Sequence, residues 1–243
     1  MSDDAGHGVE SGHWVHQHRD VQGGTARAAV FGVSDGLVSN VALILGVAAA
    51  APEASTVVLA GVSGLLAGAA SMAAGEYVSV KAQSELVARE LMIERESIAR
   101  EPAAETQELA AIYMERGLDI DQARKMADAV HRDPEVALEV HAREELGIDP
   151  DGVGGAVEAA VSSFFAFAVG AIIPLIPWFF AAGTGATVAS VVLGLLAAAT
   201  VGFVLAVFTE RSKLVTIARQ VGLAAAACGL TYAVGSALGA TVV

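Results

Sequence analysis

AAVFGVSDGLVSNVALILGVAAA, residues 28–50, decides the fold. Apart from Asp35 it carries no charged side chain, and it is long enough to cross a hydrocarbon core of ~30 Å as a helix, which takes about 20 residues. Four more stretches have this character, at roughly 56–80, 156–181, 185–208 and 214–240, each rich in Ala, Val, Leu and Gly. A soluble domain seldom offers five such runs with so few charges. Of the 243 residues 54% are hydrophobic and 17% charged, with a mean hydropathy of +0.57, so a bilayer is the expected solvent. The expected fold is all-α: five transmembrane helices, with an acidic helical domain on the cytoplasmic side inserted between the second and third.

Basic residues orient the spans, because cytoplasmic loops collect Lys and Arg. Arg19 and Arg27 precede the first span, Lys81 through Arg143 fall between the second and third, and Arg211, Lys213 and Arg219 fall at the turn between the fourth and fifth. The connections near Pro52 and Gly183 contain none. This predicts a cytoplasmic tail over 1–27, two spans over 28–81, a cytoplasmic acidic domain over 82–153 and three spans over 154–243, with the C-terminus outside. The tail holds His7, His13, His16 and His18 and lacks the apolar core and cleavage site of a signal peptide. A prokaryotic plasma membrane is the expected location, as no organelle-targeting signal is visible.

The net charge of −13 removes the basic footprint that nucleic-acid binding needs and makes cations the natural partners. Cys228, the only cysteine, excludes a disulfide or a CxxC metal site within one chain.

Residues 82–151 carry 18 acidic and 8 basic side chains. No Gly or Pro interrupts 76–101, so the second span is expected to run on as a helix beyond the membrane. Pro102 then opens a helix reaching Gly117, Asp119 with Gln122 resembles a capping box, and Asp133-Pro134 reads as an N-cap with proline at N1 of a last helix ending at Gly147. Groups three, four or seven apart share a helix face. Glu90, Glu94 and Glu101 line one face, Glu105 and Glu108 another, and His141 and Glu145 a third beside Glu144. Such clusters attract divalent ions, which favour carboxylate oxygens with an occasional imidazole. Spacing alone fits solvated charge on helical surfaces better than metal ligation.

Inside the spans, Asp35 is a functional candidate by default, since an ionisable group at membrane depth costs several kcal/mol by rough estimate and faces a bundle interior or a watery path. Glu76 is either functional or a boundary residue reaching the headgroups. Met72 is either a packing residue or a thioether ligand. Small-xxx-small pairs at Gly32/Gly36, Gly64/Gly68 and Gly235/Gly239 allow close helix approach, within the chain or between copies. Gly32-Val33-Ser34-Asp35-Gly36 and Gly61-Val62-Ser63-Gly64 imitate serine-hydrolase and rhomboid motifs, yet all six histidines lie outside the spans, so no base reaches either serine. An enzyme is not expected.

Five blocks, in order and around the five spans, resemble the vacuolar iron transporter family: GVSDGLVSNVALILG at 32–46, AGAASMAAGEYVSV at 67–80, IYMERGL at 112–118, EELGI at 144–148 and AFAVGAIIPLIP at 166–177. The resemblance implies a homodimer with an ion path between subunits and cytoplasmic helices that collect metal. It implies Asp35 and Met72 in the path and a ligand pattern falling on Glu94, Glu105, Glu108 and Glu145. Two positions depart from the family: Ser97 stands where a glutamate and His141 where a methionine is expected, with Glu90 and Glu101 flanking Ser97 on its face. The expected function is metal/proton antiport moving Fe²⁺ or Mn²⁺ out of the cytoplasm, with Fe²⁺, Mn²⁺ or Zn²⁺ as bound or carried ions and no prosthetic group. The alternative is a membrane-anchored metal buffer or sensor that passes no ion.

Overall fold

The computed structural model describes residues 24–50, 53–149 and 155–242, and every element among them is helical. Five helices are long and apolar enough to cross a membrane. They are α1 (Gly24–Ala50), α2 (Ala54–Arg100), α6 (Ala156–Ile172) with its 3₁₀ continuation (Ile173–Phe179), α7 (Gly183–Phe208) and α8 (Lys213–Val242). Between α2 and α6 lie α3 (Pro102–Glu115), α4 (Ile120–Val130) and α5 (Pro134–Glu144). The histidines expected in the N-terminal tail lie outside the described residues.

The spans are built inside out by the standard of a water-soluble protein. Phe165, Val188, Leu196, Leu214 and Leu223 point outward, while Ala and Gly fill the contacts between helices. Lipid tails compete with leucine on equal terms, so helices associate through close backbone approach rather than through hydrophobic burial. Helix α1 is central and packs against α2, α6, α7 and α8. A Cβ on Gly36 would stand 2.1 Å from the Phe167 carbonyl oxygen, and one on Gly170 as close to that of Val33. Gly235 and Gly239 likewise meet Gly46 and Ala50, and Gly64 and Gly68 meet Leu43 and the Phe167 ring. All three small-residue pairs therefore serve contacts within one chain.

The third span is not one regular helix. Pro174 and Pro177 lack the N–H groups a continuing helix would donate, and the chain tightens into a 3₁₀ segment at Ile173. Two buried side chains meet the carbonyls there: Asn40 Nδ2 donates to Ala171 O at 2.7 Å and Ser190 Oγ to Pro174 O at 2.7 Å.

Helix α2 has 47 residues, which at 1.5 Å per residue is about 70 Å, more than twice a hydrocarbon core. Its second half carries the helices of the insert. Ile98 packs with Ala137 and Leu138 of α5, and Leu109, Ala110 and Tyr113 of α3 pack with Ala123 and Ala127 of α4. The caps sit where their residue types demand. Asp119 accepts from the N–H groups of Asp121 and Gln122 at 2.9 and 3.0 Å, and Asp133 accepts from Glu135 at 2.9 Å. Helices α3 and α5 stop two or three residues before Gly117 (φ 101°) and Gly147 (φ 63°), whose left-handed backbone turns the chain away.

Candidate functional site

Docking α3 and α5 on α2 brings together side chains far apart in sequence. Glu94 comes from α2, Glu105 from α3, His141 from α5 and Glu145 from its C-cap, and one ligand atom from each lies within 4.8 Å of all the others. His141 Nδ1 stands 3.0 Å from Glu94 Oε1 and 3.1 Å from Glu145 Oε2. The imidazole is fully buried and Glu94 nearly so. Burial, then the charge of Glu145, pushes the Glu94 carboxyl above its ordinary value against the opposing pull of His141. Burial, then Glu108, does the same to Glu105. Three carboxylates and one imidazole around a point form a donor set whose mutual repulsion a divalent cation would relieve.

Of the seven side chains expected as ligands, four converge and three stand apart. Glu90 is one turn before Glu94 and pairs with Arg89 at 2.9 Å. Glu101 is exposed at the junction of α2 and α3. Glu108, one turn past Glu105, lines an adjoining cavity of about 470 Å³ with Glu115, Arg116, Glu144 and Glu145. His131 at the C-cap of α4 joins from outside the expected set, with its Nε2 3.3 Å from His141 Nε2. Nothing in its spacing marks it, because the contact depends on how α4 turns into α5.

A second locus lies among the spans. Asp35 and Ser39 of α1 and Ser71, Met72 and Glu76 of α2 line a groove of about 480 Å³ with Asn40 and Phe167 among its walls. Asp35 is exposed on the single chain, so it faces this open groove and not the bundle interior. Asn40, absent from the expected set, is 2% exposed, and its Oδ1 has no hydrogen-bond partner among the described residues. Ser34, the serine of the hydrolase-like motif, accepts a hydrogen bond from Gln220. The two histidines among the described residues, His131 and His141, both belong to the insert.

Five apolar spans, an acidic groove among them and a carboxylate–imidazole cluster on a helical insert define a multi-pass membrane transport protein. The model of the VIT family matches residues 26–236. The chain belongs to the VIT family. It is 33% identical to vacuolar iron transporter 1 of Eucalyptus grandis over 230 residues, covering 91% of this chain and 92% of that protein. It is also 33% identical to vacuolar iron transporter 1 of Arabidopsis thaliana, covering 79% and 77%. With the vacuolar iron transporter of Acanthamoeba castellanii it shares 36% over 162 residues, covering 66% and 58%. These relatives are eukaryotic, so the expected prokaryotic origin has no support in them.

Proposed function

We propose that the chain exports divalent metal, Fe²⁺ or Mn²⁺, from the cytoplasm in exchange for protons. The cluster of Glu94, Glu105, His141 and Glu145 captures the ion, and the groove of Asp35, Met72 and Glu76 passes it through the membrane. The observation that carries this reading is the convergence of four ligand atoms from three helices within 4.8 Å, in a chain whose relatives are named iron transporters. The basic residues flanking the first, second and fifth spans support a cytoplasmic insert.

The open side of the groove supports a homodimer. An ionisable side chain at membrane depth needs a polar or aqueous surround, and a second copy across α1 and α2 would close one around Asp35. Glu90, Glu101 and Glu108 belong to the acidic approach from which ions reach the cluster, and Zn²⁺ is expected to bind as well, since intrinsic affinity at such sites rises from Mn²⁺ and Fe²⁺ toward Zn²⁺ and availability decides which ion occupies them. The plasma membrane is the proposed location, with the insert on its cytoplasmic face.

Metal uptake into proteoliposomes under an imposed pH gradient tests the proposal. Fe²⁺ or Mn²⁺ flux that rises with the gradient is the expected result. Metal binding without flux would establish the buffer instead.

A further inference from the structure

The proposed function uses His141 as a ligand, and an imidazole can bind an ion through only one nitrogen at a time while the other holds a proton. Which nitrogen does so is set by the partner of the other. In this chain the partner is another histidine. We propose that His131 is a positioning residue of the metal cluster: it accepts the Nε2 proton of His141 and thereby presents the Nδ1 lone pair to the ion shared with Glu94, Glu105 and Glu145.

The carbonyl oxygen of Ala127 can only accept, and it receives the backbone N–H of His131 at 3.0 Å and approaches the ring Nδ1 of His131 at 3.1 Å. That Nδ1 therefore carries a proton, and in the neutral ring the lone pair is on Nε2. His131 Nε2 lies 3.3 Å from His141 Nε2, and the rings meet edge to face at 88°, with centroids 5.1 Å apart. Without an ion, a proton on His141 Nδ1 would serve the two carboxylates beside it; once an ion takes the Nδ1 lone pair, the proton of the neutral ring is left on Nε2, facing His131 Nε2. With the proton on Nε2 the contact becomes a hydrogen bond, and a fully buried N–H gains the acceptor it requires.

His141 Nδ1 has carboxylate oxygens at 3.0 and 3.1 Å. Ligand atoms about 2.1 Å from one ion and at right angles stand about 3 Å apart, so these separations suit edges of a coordination polyhedron. A ring anchored by His131 needs little reorganisation to serve it. The inference rests on the metal-capture reading of the cluster and adds the residue that orients its nitrogen ligand.

The test uses the full-length chain in detergent, labelled with ¹⁵N-histidine and titrated with Zn²⁺ and Mn²⁺. His131→Phe keeps a ring but removes the acceptor and should weaken binding of both ions about ten- to a hundredfold. His131→Gln restores an acceptor through its amide oxygen and should retain most of the affinity. With Zn²⁺ bound, the wild-type His141 resonances should show a metallated Nδ1 and an exchange-protected proton on Nε2. Wild-type affinity in His131→Phe, equal losses in the Phe and Gln variants, or ligation through His141 Nε2 would each overturn the inference. If His131→Phe does not fold, the Gln variant and the wild-type spectrum decide. Lost binding in Glu105→Ala with none lost in His131→Phe would spare the proposed function and reject this inference alone, whereas a wild-type chain that binds neither ion would reject both.

Discussion

Asp35 and His141 ask for opposite kinds of substitution. Asp35 faces a groove shared with Met72 and Glu76, and a carboxylate there can trade a proton for a cation. Asparagine keeps its shape and its hydrogen bonding but takes up no proton. Asp35→Asn should therefore abolish proton-coupled flux in proteoliposomes while calorimetry still records metal binding at the insert and the thermal midpoint in detergent stays put. For His141, replacement by methionine exchanges an imidazole for a softer thioether among three carboxylates. His141→Met should retain binding and move the ranking of Fe²⁺, Mn²⁺ and Zn²⁺ toward the softer ions, read from competition titrations. Asp35 was legible in the sequence as a charge inside a span, and the candidate ligands through the family blocks, since spacing alone favoured solvated charge. Their convergence was not, since only the docking of α3 and α5 on α2 separates Glu105 and Glu145 from Glu101 and Glu108. Asn40 and His131 stayed hidden for a related reason: each meets a partner that the fold brings to it, the Ala171 carbonyl at the Pro174 break for Asn40 and the His141 ring for His131.

At the scale of elements, hydropathy and length located the spans and residue chemistry located the caps, because both are local properties. Small-residue spacing was ambiguous between packing within a chain and between chains. The crowding at Gly36 resolves it, as the nearest atoms to an added methyl belong to the backbone of α6 and have no room to turn aside. Gly75 of α2 offers the contrast, with no atom within 4 Å of such a methyl. Gly36→Ala should destabilise the detergent-solubilised protein by at least the roughly 1–3 kcal/mol typical of overpacking. Gly75→Ala should leave stability unchanged or raise it by up to about 1 kcal/mol through helix propensity. Thermal unfolding of both variants measures the difference.

For the molecule as a whole, the acidic insert ties stability to pH and metal in opposite senses. Burial raises the carboxyls of Glu94 and Glu105 above their unfolded values. Their contribution to stability is then fully present below the unfolded value and lost as pH rises through the raised, folded one. Without metal, the insert should thus become less stable as pH climbs through and beyond the usual carboxylate range. A bound cation selects the ionised forms, so stabilisation by Mn²⁺ should grow over the same interval. Thermal midpoints of the full chain, with and without Mn²⁺ across that interval, should converge toward low pH and part as pH rises.

The continuity of α2 also fixes a phase relation. Glu76 and Glu94 are five helical turns apart at 3.6 residues per turn, so groove and cluster take their carboxylates from one azimuth of a shared shaft. One alanine inserted after Lys81 would turn the two stations about 100° out of phase, whereas seven would lengthen the shaft by about 10 Å and leave them within about 20°. If the stations work as a phased pair, the single insertion should abolish flux while sparing metal binding, and the seven-residue insertion should recover part of it.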